Sequence, residues 1–383
     1  VRVLVLFGGT RLFGQERGNI EVLRNLLAMG AKVRVITTSR GNASEVQEEL
    51  ISQGLEWTTA PFGYAWHNYL FGRHFYYFFL NLYSILAVSW LVFKEVRQWK
   101  PTHLYTMNWQ YFIYAFPALA LLDLPLIWRA GDMPPGHSLM HRWMARRICK
   151  RVNQMACISR FIMGQWEAVG MSPAKMHVIH NYPPNRAQTG KPKIPELPAG
   201  ALVVTFLGQV AKHKGILVLL NAMARLVAGG RNLVLWVVGD QTWDDGFFED
   251  VNRCVASLAL QNRVTFFGYV ENVFPILEKT DVHVCPSLFQ EPLSNVVGEA
   301  KQCGKPSVVF PNGGLPELVE HKVDGYICRD SSADALVEGL AYFLDRPGER
   351  SRAGAAARNS LEEKFGLERF RKQWAEVFLQ TTA

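Results

Sequence analysis

No two cysteines form a C-x-x-C pair. The six present, at 149, 157, 254, 285, 303 and 328, are scattered through 383 residues. No disulfide framework or zinc site can be read from that spacing, and a reducing compartment is expected. Acidic residues and histidines never gather at metal-ligand spacing, so no metal is expected. Charged residues are modest at 19% against 49% hydrophobic, which excludes a disordered chain. No nucleic-acid recognition motif is present, and no nucleic-acid partner is expected. No cleavage region follows the opening apolar run Val1–Phe7, so a buried first strand is expected there, not a signal peptide.

What the chain does have is length for two domains and an uneven charge. Residues 1–190 hold 20 Lys and Arg against 10 Asp and Glu; from 191 onward the counts are 21 and 23. The surplus in the first half suits an anionic partner, either a phosphorylated acceptor or an acidic membrane surface, unless surface charge merely varies. Short apolar runs alternate with helical patterns, the mark of βα units and parallel sheets. The first half offers strands at Val1–Phe7, Lys32–Thr37, His103–Met107, Leu126–Ala130, Gln154–Ile158 and Met176–His180. Five prolines between Pro183 and Gly200 mark a linker. The second half restarts with Leu202–Leu207, Leu233–Val238 and Val264–Phe267, each followed by glycine, then Asp281–Cys285 and Ser307–Phe310.

The fold class expected is α/β, two Rossmann-like domains. Residues 1–182 form the N-terminal acceptor domain, 183–200 the hinge and 201–360 the C-terminal donor domain. A terminal helix at 361–383 packs back toward the first domain, with Phe365, Phe370, Trp374 and Phe378 as packing residues. The uncharged stretch Phe75–Phe93 is expected as a helix buried beside the first sheet. The aromatics from Trp66 to Phe79 keep contact with a lipid surface open.

Two segments carry the chemistry. In Pro286–Ala300 a strand ends at Cys285, a loop bears Glu291, and a helix starting near Ser294 presents Glu299. A helix start has unsatisfied N–H groups and partial positive charge, a seat for phosphate. Two carboxylates on either side of that seat can accept hydrogen bonds from sugar and ribose hydroxyls. Equally, Glu291 and Glu299 taken alone read as a cap and an exposed helix residue. Upstream, Gly208-Gln209-Val210-Ala211-Lys212-His213-Lys214-Gly215 sets a lysine at a helix start after a glycine turn, placed to neutralise a departing diphosphate.

Together these segments resemble the retaining glycosyltransferases of family 4, whose fold is GT-B: two Rossmann-like domains facing each other across a deep cleft. The pattern is Glu291, seven residues, Glu299, preceded by the glycine–lysine segment and followed by Gly313-Gly314-Leu315-Pro316-Glu317 and Asp324-Gly325. The resemblance implies that Glu291 contacts the donor sugar, Glu299 the ribose and Lys214 the diphosphate, aided by backbone amides of Leu293, Ser294, Asn295 and Val296. Gly239, Tyr269 and Val270 would sit near the base, and the loop of Gly8, Gly9, Thr10, Arg11 and Phe13 over the phosphates. The chain departs from the family at Gln209, where arginine is usual, with Lys212 or Arg11 available to compensate. It also lacks a histidine before Asp132. Arg129, Asp132 and His137 are therefore acceptor-side candidates, with Asp132 also a catalytic candidate, and Arg11, His67 and His74 lie on that side too.

The loop Leu6–Gly14 also looks like the nucleotide turn of short-chain dehydrogenases. Those enzymes pair a tyrosine with a lysine four residues on; none of the twelve tyrosines here has one, and Ile36–Arg40 offers no acidic group for a ribose. An inverting transferase or an epimerase would need a differently placed carboxylate or histidine. A non-catalytic binding subunit is the other alternative. The expected activity is sugar transfer with retention, with no cofactor, since the nucleotide sugar is a substrate (a UDP-sugar ahead of a GDP-sugar). The expected acceptor is a glycan or lipid-linked intermediate of surface polysaccharide assembly, and the expected location is the cytoplasm, at the inner face of the membrane.

Overall fold

The computed structural model describes residues 1–9, 12, 14–39, 44–62, 76–136, 138–182, 192–240 and 246–380. The chain divides into two compact units, one of 1–181 with 368–383 and one of 182–367.

The first unit runs β1 (Arg2–Phe7), α1 (Gly14–Ala28), β2 (Lys32–Thr38), α2 (Ser44–Ser52), β3 (Glu56–Ala60), α3 (Tyr76–Trp99), β4 (His103–Thr106), α4 (Trp109–Leu121), β5 (Leu126–Ala130), α5 (Leu139–Arg151), β6 (Gln154–Cys157), α6 (Arg160–Ala168) and β7 (Met176–Val178). Its seven strands lie in the order β3-β2-β1-β4-β5-β6-β7, every pair parallel. Side chains alternate across the strands, so each face needs its own cover. Trp128 of β5 meets Phe112 of α4 and Trp166 of α6 at 5.8 and 5.7 Å between ring centroids. Tyr105 of β4 donates its hydroxyl to Asn19 of α1 at 2.9 Å.

The second unit runs β8 (Leu202–Leu207), α7 (Ile216–Ala228), β9 (Leu233–Val238), α8 (Phe247–Ser257), β10 (Val264–Gly268), α9 (Phe274–Lys279), β11 (Val282–Cys285), α10 (Asn295–Gln302), β12 (Ser307–Val309), α11 (Leu315–Leu318), β13 (Gly325–Ile327), α12 (Ala333–Leu344) and α13 (Pro347–Phe365). The sheet order is β10-β9-β8-β11-β12-β13, again all parallel. Val204, Phe206, Leu235 and Val237 face α7, α8 and α12; Val203, Leu207, Val234 and Trp236 face α9 and α10. This period of two is what reads in the sequence as short apolar runs. Ile194, from the proline-rich connector, packs on the second of these cores.

Four expectations need correction. Strands β3 and β13 were not expected: β3 is a half-buried edge strand rich in polar residues, and β13 has three residues at the opposite edge. Residues 361–379 are not one helix. α13 ends at Phe365, and α14 (Leu367–Leu379) begins beyond Gly366. The four aromatics therefore serve two units: Phe365 stays with the second, while Trp374 and Phe378 meet Tyr105 and His103 at 5.9 and 5.6 Å. Finally, α3 is a helix beside the sheet but only half covered. Among the described residues it is the helix long and apolar enough to cross a membrane, and 33% of its apolar window is buried. Val88, Leu91 and Val92 face inward, while Tyr83, Leu86 and Trp90 are 60–63% exposed.

At the centre of the second sheet His283 is fully buried, its Nδ1 2.9 Å from the Ser307 hydroxyl on β12. Burial pushes its pKa from 6.5 down to about 3. An unfolded histidine takes a proton below pH 6.5 and the buried ring does not until about pH 3. The unfolded state thus binds more protons across that window, and stability falls as pH drops through it, by up to about 1.4 kcal/mol per unit. His283→Gln is expected to flatten the fall in melting temperature between neutral and mildly acidic pH. An unchanged slope would remove His283 as its source.

Candidate active site

In an open parallel sheet, ligands bind beyond the carboxyl ends of the strands, where the strand order changes direction. In the second unit that point lies between β8 and β11, which pair directly while β9 and β10 extend the other way. Lys214 follows β8 and Glu291 follows β11, and here the two meet. Lys214 Nζ donates to Glu291 Oε2 at 2.8 Å and to Oε1 at 3.2 Å. The pair is partly covered, with 22% and 11% of the two side chains exposed. The ammonium also stands 4.7 Å from the Phe289 ring centroid, and His213 meets that ring edge-on at 5.0 Å.

The local backbone makes this meeting possible. Residues Lys212–Lys214 form a single 3-10 turn ended by Gly215 at φ 77°, which is also the N-cap of α7. A Cβ on Gly215 would lie 1.9 Å from the Pro286 carbonyl oxygen, so only glycine lets the two loops close. The Leu288 N–H donates to the His213 carbonyl at 2.8 Å, joining them. Behind Glu291, Gly313 at φ 62° leaves no room for a Cβ, which would fall 2.2 Å from the Glu291 carbonyl oxygen. The Gly314 N–H donates to that same oxygen at 2.7 Å, and Gly313 N–H to Gln290 Oε1 at 2.9 Å.

Next in the chain, the Ser294 side chain makes no capping hydrogen bond to α10. Its hydroxyl lies 3.6 Å from Cys285 Sγ instead, so the first-turn N–H groups of α10 are not capped by that residue. Leu293 and Ser294 are buried, Asn295 and Val296 half-buried, at the head of this helix. Glu299 is fully buried one turn further. The helix is held from its far side: buried Lys301 donates to Asp324 at 2.5 Å and to Ser360 of α13 at 2.8 Å. Burial lowers the Lys301 pKa and Asp324 opposes that shift. The Asp324-Gly325 motif thus has a structural task, since Asp324 also accepts from the Glu320 N–H at 2.8 Å.

The remaining donor-side residues lie along the same carboxyl edge. Gly239 follows β9 and donates its N–H to the Gly268 carbonyl at 2.8 Å. Gln209 is exposed. Tyr269 and Val270 line a cavity of about 530 Å³ with Pro192, Lys193 and Pro195, which neither Lys214, Glu291 nor Glu299 lines.

In the first unit the strand order changes direction between β1 and β4, and Gly8 and Gly9 follow β1. Gly8 lies against the Tyr111 ring and Gly9 against Glu16, both too close for a side chain. Arg129, at the end of β5, is 2% exposed. Its Nη2 donates to Asn181 Oδ1 at 2.6 Å, while Nη1 finds no partner among the described residues. Burial lowers the Arg129 pKa; Tyr105, Asp132 and Glu16 oppose that. Burial raises the Asp132 carboxyl, against the pull of Arg129 and a hydrogen bond from Gln15. Trp166 Nε1 holds the Asp132 backbone carbonyl at 3.2 Å. Thr10, Arg11, Phe13, His67, His74 and His137 lie outside the described residues, as do Trp66 and Phe75. Among the described residues no group of three His, Cys, Asp or Glu could hold a metal.

Phe289, His213 and Tyr111 were not singled out from the sequence, and Asn181 only as the start of a hinge. Phe289 sat inside the recognised segment, but a ring facing a cation 75 residues upstream leaves no local signal.

Two family models match the chain. "Glycosyl transferases group 1" spans residues 188–360 and "Glycosyltransferase Family 4" residues 14–182. Spore coat protein SA of Bacillus subtilis is 28% identical over 184 residues, 47% of this chain and 49% of that protein. The chain thus aligns with about half of that relative's length. The lipopolysaccharide core biosynthesis glycosyltransferase LpsD of Rhizobium meliloti is 26% identical over 299 residues, 77% of this chain and 80% of LpsD. Among solved structures, Anabaena Alr3699/HepE in complex with UDP superposes with a TM-score of 0.81 at 17% identity, over 99% of this chain and 100% of that one. Two parallel Rossmann-like sheets, a site at the switch point of the second, and these matches together place the chain in the group 1, family 4 glycosyltransferases, with the GT-B fold.

Proposed function

We propose that this protein transfers a sugar from a nucleotide-sugar donor, with retention at the anomeric carbon, to a glycan or lipid-linked acceptor of surface polysaccharide assembly. The observation that carries the reading is the Lys214–Glu291 pair, 2.8 Å apart beside the head of α10. Without donor, Glu291 keeps the ammonium in place. With donor bound, Lys214 turns to the diphosphate and Glu291 accepts a sugar hydroxyl. The N–H groups at Leu293–Val296 take the phosphate oxygens, and buried Glu299 takes the ribose. Gln209 supplies a hydrogen bond without charge, leaving Lys214 as the main cation.

The reaction runs on one face of the sugar. The bond from the anomeric carbon to the diphosphate breaks, and the electron pair leaves on the diphosphate oxygen. That oxygen takes the acceptor hydroxyl's proton, and the hydroxyl oxygen bonds to the same face of the carbon. Positioning and stabilisation of the leaving charge supply most of the rate. Arg129 and Asp132 serve the acceptor side, the raised Asp132 carboxyl being suited to hydrogen-bond a hydroxyl. No cofactor takes part. UDP is the first nucleotide to try, since the Anabaena protein of like fold holds it. The lipopolysaccharide relative supports the acceptor class. The enzyme would act in the cytoplasm at the inner face of the membrane.

Thermal shift and donor hydrolysis with UDP-, GDP-, TDP- and ADP-sugars test the reading. One nucleotide should raise the melting temperature, with affinity about tenfold weaker in Glu299→Ala. Lys214→Ala should lose on the order of 100-fold in transfer rate, and the product's anomeric proton should match the donor's configuration. If no nucleotide shifts the melting temperature, the reading fails; binding without hydrolysis or transfer would favour a donor-binding subunit. Gly313→Ala, which drives a Cβ into the Glu291 backbone, should cost on the order of 2 kcal/mol of stability and impair donor hydrolysis. Gly348→Ala, with open space around it, should change neither.

A further inference from the structure

The first unit has one helical layer with an unusual outer face. α4 joins α3 through the Tyr114 hydroxyl, which donates to Asn81 at 2.7 Å, and joins α5 through Phe116 and Trp143 at 5.7 Å between rings. On α3 the residues Phe79, Tyr83, Leu86, Trp90, Lys94 and Arg97 follow one another by three or four positions, so they form a single stripe. All six are exposed, Leu86 by 60% and Trp90 by 63%. α5 repeats the arrangement with one cation in its first half: Leu139 and Trp143 are 85% and 46% exposed with exposed Arg142 between them, and Arg146, Arg147 and Lys150 follow, also exposed. Each exposed tryptophan carries a cation over its ring, Lys94 on Trp90 at 5.6 Å and Arg147 on Trp143 at 5.2 Å. The helices are crossovers between parallel strands, so they run the same way. Their apolar halves begin at the carboxyl edge of the sheet, where Asp132 stands, and their basic halves lie at the other end.

Charge decides between the possible occupants. Residues 76–151 hold nine Lys and Arg against three acids, Glu95, Asp123 and Asp132. Glu95 is buried and bonded to Arg34 at 3.0 Å, and Asp132 is half-buried, which leaves Asp123 as the exposed acid. A second copy on a two-fold axis would set this basic face against itself. Tryptophan with neighbouring cations instead matches the interfacial zone of a bilayer, where rings sit at headgroup depth and cations meet anionic lipid.

We infer that the outer face of α3 and α5 is the surface by which this protein seats on an anionic membrane. Seated so, it holds the carboxyl edge of the first sheet next to the lipid. The inference deepens the proposed lipid-linked acceptor and rests on that reading for its purpose, but not for its test.

The test is flotation of the whole chain with vesicles of equal parts phosphatidylglycerol and phosphatidylcholine, against phosphatidylcholine alone. The protein should float with the mixed vesicles, and less as salt rises. The pair Leu86→Ser, Trp90→Ser should lose about tenfold or more in partitioning; Arg146→Gln and Arg147→Gln should lose about fivefold each. Brominated acyl chains should quench the tryptophan fluorescence of the unsubstituted protein, a readout that needs no variant. Nucleotide thermal shifts should be the same in all variants, which separates a surface defect from misfolding and from failure of the donor site. The inference is overturned if the protein does not float with the anionic vesicles, or if the variants float as well as the parent. It is also overturned if sedimentation shows a dimer that the Leu86, Trp90 pair breaks, which would give this face to a second copy. Vesicle binding without any nucleotide shift would sink the transferase reading and leave the membrane surface standing.

Discussion

The parallel pairing of β8 with β11 is the constraint on which the candidate site of the second unit depends. These strands are far apart in sequence, and their neighbours leave in opposite directions, so the loops after them face the same space. That pairing brings Lys214 within 2.8 Å of a carboxylate 77 residues away. Everything around the pair serves the closeness of those two loops: Gly215 against the Pro286 carbonyl, the Leu288–His213 backbone bond, and Gly313 beneath Glu291. A partly buried ion pair adds little net stability, because desolvating both charges opposes their attraction. In the proposed reaction its use is to keep a cation localised at a helix head before an anionic ligand arrives.

The helix head is fixed from behind in a different way. Lys301, almost wholly buried, ties α10 to Asp324 and to α13. Removing either partner would strand a buried charge, at a cost of about 3–5 kcal/mol. α10 is thereby rigid in direction, and Glu299, two residues before Lys301, inherits that rigidity. For the proposed transfer, a pinned helix and two mutually locked loops would stabilise the leaving charge without reorganising.

The first unit is organised by its two faces. One buries Tyr105 and His103 under α14, a helix from the far end of the chain. The other carries α3, α4 and α5, whose inner sides are core, and the outer sides of α3 and α5 stay apolar and basic. Arg129 sits buried at the carboxyl edge, held by Asn181, the last residue of this unit before the chain passes to the second. A buried guanidinium with an unused nitrogen fixes both the end of β5 and the exit of the chain.

Much of this is local and was therefore legible. Strands such as Leu202–Leu207 and Leu233–Val238 show as apolar runs because a parallel strand is buried on both faces. Glu291, Glu299 and Lys214 stand out because their spacing matches a known pattern. Weak edge strands did not show: β3 and β13 are short, and β3 is mostly polar and only partly buried. Nor did the break at Gly366, since aromatic spacing carries through a one-residue interruption and does not say which unit each ring joins. The sequence alone thus determined the fold class, the residues of the candidate site and the excess of positive charge in the first half. Only the tertiary structure decided that Lys214 rests on Glu291 and Phe289, that Asp324 is a structural anchor, and that α3 keeps one side bare. Those outcomes depend on which distant segments meet, and contacts across such separations leave no periodicity in the chain.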